Sequence, residues 1–153
     1  MGSSLQDRFA PHGRCFGCGP ANDKGLRIKS HDAGEECICT FQPEAHHEAF
    51  PGMLNGGIIG ALLDCHSNWT AANHLMKAAC ADAPPCTVTA EFHVKLRRPT
   101  PSEGPVQLRA RVTEWTHDRA TVEATLESNG VITSTCRGVF VAVKEGHPAF
   151  GRW

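Results

Sequence analysis

The 153-residue chain carries almost no net charge: the formal value is −1. That removes any global argument for binding nucleic acid or an anionic membrane. No apolar run approaches spanning length, since the longest, Gly56 to Leu63, is far too short. The first residues show neither the basic region nor the apolar core of a secretory signal. Gln6 stands where a myristoylation motif wants Ser or Thr. Internal repeats, low-complexity segments and a second-domain boundary are also lacking. So are the His-Glu-x-x-His zinc pattern and, near the apolar segment, an Asp-x-x-x-x-His arrangement of the hydratase kind. What is left is one globular domain, 41% hydrophobic and 20% charged, long enough to enclose a real core.

Cysteine is the exception to this sparseness. There are 8, which in a secreted chain would suggest a disulfide framework. Their context favours free thiols. Cys65 lies in the apolar segment, Cys136 in a strand-like run, and Cys37 and Cys39 alternate onto one face with Phe41. With no export signal, we expect a reducing cytoplasm. Cys15-x-x-Cys18 with Cys37-x-Cys39 offers four zinc ligands, but the alternation of the second pair suits a core face, and the expected metal set is none. Cys65-His66 is no dyad, because adjacent residues on a helix do not face each other.

Residues 1–14 read as a loose polar lead-in. Leu26 to His31 and Glu36 to Phe41 alternate like strands about the Asp32-Ala33-Gly34 turn. Pro43 to Leu54 is a loop. A helix is expected from about Gly56 to about Ala79, frayed or broken after Asn73, with Pro84-Pro85 as a stop. Its apolar residues run nearly all round, so it must be enclosed on most sides. Strand-like runs follow at Thr87–Arg98, Val106–Trp115, Ala120–Glu127 and Val131–Val143, the last two joined by Asn129-Gly130, a type I′ hairpin signal. Strand, strand, long helix, four strands predicts an α+β fold in which an antiparallel sheet wraps one central helix. The tail 145–153 is unassigned.

The chemistry concentrates at the start of the helix. Gly56 and Gly57 leave backbone N–H groups approachable at the positive end of the helix dipole, where a developing oxyanion is stabilised. Asp64 follows two to three turns on, among residues that do not otherwise tolerate a charge.

These residues carry a resemblance. His47-Glu48-Ala49-Phe50-Pro51-Gly52-Met53-Leu54-Asn55-Gly56-Gly57, then Asp64, resembles the core motif of hotdog-fold acyl-CoA thioesterases of the phenylacetate-degradation type, within the 4-hydroxybenzoyl-CoA thioesterase superfamily. Cys15-Phe16-Gly17-Cys18-Gly19 with Asn22 and Gly25-Leu26 agrees, as does Thr89-Ala90-Glu91 through Arg97-Arg98-Pro99, so the likeness covers roughly residues 15–143 of a single domain at 15–144. It implies hydrolysis of a thioester to a carboxylate and free coenzyme A, with no cofactor beyond coenzyme A itself. Asp64 would be general base or nucleophile, Gly56 and Gly57 the oxyanion hole, and Thr89 the residue that orients the acid or the water. A regular strand, however, puts Thr89 on the face of Glu91 and His93, in conflict with that role. His47, Phe50 and Met53 would line the substrate channel, with Trp69 a further pocket wall, and Arg97 and Arg98 would lie near the coenzyme A phosphates. A homodimer or homotetramer is implied, the site at its interface. One departure stands out: the family's usual His before Gly-Gly is Asn55 here, which cannot titrate. The rival reading is a non-catalytic hotdog protein that binds acyl-CoA.

Overall fold

The computed structural model describes residues 2–153. A short helix α1 (Leu5–Phe9) precedes β1 (His31–Asp32) and β2 (Cys37–Phe41). A 3₁₀ turn (Ala45–His47) and a small hairpin, β3 (Glu48–Phe50) and β4 (Met53–Leu54), lead into α2 (Gly56–Ala78). Then come β5 (Thr87–Leu96), β6 (Val106–Trp115), β7 (Arg119–Ser128) and β8 (Val131–Ala142). Six strands form one sheet in the order β1-β2-β6-β7-β8-β5, antiparallel throughout. The long helix lies across its concave face, which is the hotdog arrangement.

Period-two alternation explains which face is covered. Val106, Leu108 and Ala110 of β6, Ala120, Val122, Ala124 and Leu126 of β7, and Cys136 and Phe140 of β8 all point inward and are buried. They meet Ile59, Leu62, Leu63, Trp69 and Leu75 of α2. The β7–β8 hairpin turns at Asn129 and Gly130, both at positive φ (51° and 79°), as a type I′ turn requires.

Four expectations are corrected. First, the lead-in is not loose: Ser4 caps α1 by accepting from the Asp7 amide, and Leu5 and Gln6 are buried. Gln6 continues a buried polar chain in which its Nε2 donates to Ser30 Oγ (3.0 Å), Ser30 Oγ meets His66 Nδ1 (2.8 Å) and His66 Nε2 meets the Cys37 carbonyl (3.0 Å). Second, Leu26 to Ser30 alternates inward as read, but it pairs with the cysteine turn rather than the sheet. The Leu26 amide donates to the Phe16 carbonyl and that of Ile28 to Gly17, while Arg27 adopts φ 53°. Third, α2 does not break after Asn73. Every residue from Ser67 to Asn73 is buried, and tertiary enclosure holds the helix where local propensity is weak. Fourth, β5 ends at Leu96; the amides of Arg97 and Arg98 both donate to the Thr133 carbonyl.

Candidate active site

The helix start is built by its own loop. Glu48 accepts from the Gly52 amide (2.9 Å) and from Ser102 Oγ (3.1 Å), which fixes the Pro51-Gly52 turn at φ 85°. The His47 carbonyl accepts from the Asn55 amide (2.9 Å). Asn55 is the N-cap: its Oδ1 accepts from the Ile58 amide (3.1 Å), and its carbonyl accepts from the Ile59 amide (3.0 Å). Of the first-turn donors, therefore, those of Ile58 and Ile59 are engaged. The Gly56 and Gly57 amides have no hydrogen-bond partner among the described residues. Two bare donors, side by side at the positive end of a 23-residue helix, form an anion cradle. His47 sits elsewhere than the sequence suggested. Its ring is buried, tilted against Phe41 (5.4 Å between centroids), and its Nδ1 accepts from the Glu44 amide (3.0 Å). Burial holds its pKa below the ordinary imidazole value. It shapes the loop and lines neither of the cavities described below.

Asp64 lies two turns further along α2, and Thr89 Oγ1 donates to its Oδ1 (2.6 Å). The conflict over which face Thr89 occupies is resolved by a β-bulge. Thr89 pairs with Phe140 and Glu91 with Val139, leaving Ala90 as the extra residue. A bulge sends Thr89 and Glu91 to opposite faces, so Thr89 turns toward the helix with Phe140. Burial raises the Asp64 pKa, and the Thr89 hydrogen bond partly offsets this. A carboxylate held nearer neutrality, with one oriented oxygen, suits general-base work. It opens into a cavity of about 130 Å³ shared with Cys15, Cys18, Cys65, Trp69, Arg152 and Trp153.

The bare amides open elsewhere. Gly56 lines a separate cavity of about 310 Å³ with Phe50, Met53, Leu54, Leu96 and Arg98. Gly57 and Asp64 are seven residues apart on one helix, about 10 Å along its axis. One chain thus carries two half-sites that it does not itself bring together. The two arginines also part company. Arg98 joins the Phe50–Met53 cavity. Arg97 turns to the outer sheet face, where its Nε donates to Thr135 Oγ1 (3.3 Å) in a broad hollow of about 650 Å³ with Lys95, Arg109, Arg111 and Arg137. That hollow is the largest, but it lies on the side of the sheet away from Asp64.

Residues 51–134, from the Pro51-Gly52 turn through α2 into β8, match the family model of the thioesterase superfamily. The chain belongs to the thioesterase superfamily. Among solved structures it resembles a thioesterase superfamily protein from Shewanella loihica PV-4, with 27% identity, 82% of this chain and 98% of that one covered, and a TM-score of 0.65. It shares its fold with a phenylacetic acid degradation-related protein from Ralstonia eutropha JMP134 (17% identity, 82% and 92% covered, TM-score 0.66). It also shares it with a thioesterase from Haemophilus influenzae (16% identity, 80% and 84% covered, TM-score 0.65). No curated protein matches the chain. No helix among the described residues is long and apolar enough to cross a membrane.

Within this thioesterase-superfamily chain, two contributions to the Asp64 cavity escaped the sequence reading. The unassigned tail returns to it: Trp153 stacks on the buried Trp69 (4.3 Å between centroids, 17° between planes), and Arg152 Nη2 donates to the Thr87 carbonyl (2.6 Å). Trp69 itself donates from Nε1 to Cys18 Sγ (3.3 Å), so it walls the Asp64 half-site rather than the one with Phe50 and Met53. The second contribution is the cysteine turn at 15–18, whose neighbour is Cys65 and not Cys37 or Cys39. Those two are core residues on β2. The Cys15-x-x-Cys18 spacing shows the pair but nothing in it signals Cys65, which lies 47 residues beyond Cys18.

Proposed function

We propose that this protein hydrolyses acyl-CoA thioesters to a carboxylate and free coenzyme A, using Asp64 of one protomer and the Gly56 and Gly57 amides of another. The observation that carries the reading is the pair of unpartnered amides on a capped helix start, on a helix whose one carboxylate is held by Thr89. The thioester carbonyl oxygen would accept from the amides, which gain strength as it becomes an oxyanion; one such donor is worth about 10²–10³ in rate. Ionised Asp64 would take a proton from water as its oxygen adds to the carbonyl carbon. Collapse of the adduct breaks the C–S bond, and the proton goes to the departing thiolate. Direct attack by Asp64 through an anhydride is the other route. The acyl group would lie against Phe50, Met53 and Leu96, and Arg98 suits a phosphate of coenzyme A.

Strand β5 supports the pairing of half-sites. It is an edge of the sheet, ten residues long, with Phe92 and Leu96 exposed. A long apolar edge of this kind calls for a partner. Phe92 lies near the middle of β5, with Thr89 toward one end and Leu96 at the other. Antiparallel pairing of two β5 edges about Phe92 would set the Thr89 end of one chain beside the partner's Leu96 end. Leu96 Cδ1 lies 3.1 Å from the position a Cβ on Gly56 would take, so Asp64–Thr89 would meet the partner's Gly56. The departure at Asn55 fits this scheme, since its role is capping and needs no titratable group.

Short, long and aromatic acyl-CoA esters, followed by loss of thioester absorbance because 8 cysteines interfere with thiol reagents, test the reading. Turnover that Asp64→Asn abolishes is expected. Binding of every ester with turnover of none would favour the non-catalytic acyl-CoA-binding protein instead.

A further inference from the structure

Three sulfurs from distant parts of the chain converge beside Asp64. Cys15, Cys18 and Cys65 place their Sγ atoms within 4.8 Å of one another. Cys15 Sγ and Cys65 Sγ are 3.8 Å apart. Two thiolates bound at ~2.3 Å to one tetrahedral ion are also ~3.8 Å apart, the edge of the tetrahedron. The surrounding chain is shaped to permit this. A Cβ on Gly17 would fall inside the Cys65 sulfur, and a Cβ on Gly19 would fall inside the backbone of residues 13–15. Only glycine at both positions allows the turn to close and the third sulfur to enter. The turn is fixed by the Gly19 amide donating to the Cys15 carbonyl (2.8 Å). Donors converge on the sulfurs as they do in metal-binding turns: the Gly17 and Cys18 amides point at Cys15, and Trp69 Nε1 donates to Cys18 Sγ.

We propose that Cys15, Cys18 and Cys65 bind one thiophilic divalent cation of the zinc class, with the fourth coordination position open to the Asp64 cavity. The ligand chemistry selects the ion: three soft sulfurs in a tetrahedral face favour Zn²⁺ over the hard, oxygen-seeking cations. Cysteine binds such an ion as thiolate, so a cation would displace thiol protons and its uptake would be pH-dependent. Cys15 is exposed, which gives the ion a way in. The fourth face is not filled by a further cysteine or histidine among the described residues; water or an anionic oxygen would complete it. This site is independent of whether the chain turns over thioesters.

The test uses the full chain, reduced, stripped of metal and then equilibrated with Zn²⁺ or Co²⁺ alone. Expected are one ion per chain by elemental analysis, thiolate-to-cobalt charge-transfer absorption, and the intense visible bands of tetrahedral Co²⁺. Cys15→Ser and Cys65→Ser should weaken uptake by on the order of 100-fold or more, beyond what loss of an outer-shell partner costs. Cys80→Ser and Cys86→Ser, away from the cluster, should leave it unchanged. Because Cys15 is at the surface, Cys15→Ser tests the site even if Cys65→Ser fails to fold. Substoichiometric uptake by the reduced wild type would overturn the proposal, as would uptake indifferent to Cys15→Ser. Recovery of a Cys15–Cys65 disulfide in a chain that binds no metal when reduced would overturn it too.

Discussion

At the scale of single residues, the cost of keeping a charge or a proton out of water sets how Asp64 and His66 behave. Asp64 is raised by burial and lowered again by Thr89. If Asp64 must be ionised to act, the acid limb of kcat/KM is displaced upward from the ordinary carboxylate value. Thr89→Val, which removes the bond that favours the ionised form, should move that limb to higher pH; a limb that stays in place would separate Thr89 from the chemistry. Asp64→Asn should lower turnover by at least about 10² while raising stability by about 1 kcal/mol, read as a higher Tm, since the buried charge is gone. His66 behaves oppositely. Burial holds its pKa at about 4 against 6.5 when unfolded, so between those values the unfolded chain binds the extra proton. Stability should therefore fall as pH drops from 6.5 to about 4, by on the order of 3 kcal/mol in all, and denaturant titrations of His66→Leu should lack that slope. No sequence pattern announced this histidine, because its partner Ser30 and the Gln6 behind it come from a strand-like run and a polar lead-in far from it in sequence.

At the scale of elements, α2 and the strands were legible because their periods are long and uninterrupted. The Gly56 start, the Asn129-Gly130 hairpin and the inward alternation of β6 to β8 all follow from local rules. The bulge at Ala90 was not legible: a one-residue slip in register leaves no mark on an alternating sequence, yet it decides which way Thr89 points. The segment 26–30 shows the converse, a true alternation that found a partner other than the sheet. The packing of His47 against Phe41 was not legible either, since proximity to the glycines in sequence does not say how a ring packs beneath its loop. Asn55 carries the element-scale prediction. Asn55→Ala should cost about 1 kcal/mol as a lost N-cap, whereas Asn55→Ser, which restores an acceptor, should recover most of it in thermal melts. If the two variants melted alike, the cap would not be what Asn55 supplies.

At the scale of the whole molecule, the proposed two-fold assembly would answer both the two half-sites and the free β5 edge, by bringing Asp64 and Thr89 against the partner's Gly56 and Gly57. No local rule of sequence reports an interface between copies; the resemblance alone implied it, and the division of the site gives it a physical cause. A proline at Phe92, near the centre of β5, should reduce both the oligomer in sedimentation and turnover, since the register with β8 turns the Phe92 amide to the free edge and proline removes that donor. The most direct measurement is mixed-dimer complementation. Asp64→Asn damages one half-site and Gly57→Pro, which deletes a bare amide, damages the other; each is expected to be inactive as a homo-oligomer. Unfolded together and refolded at equal amounts, they should regain about a quarter of wild-type activity, because about half the dimers are mixed and one of their two sites is then intact. No recovery in a mixture shown to contain mixed dimers would contradict a site shared between protomers.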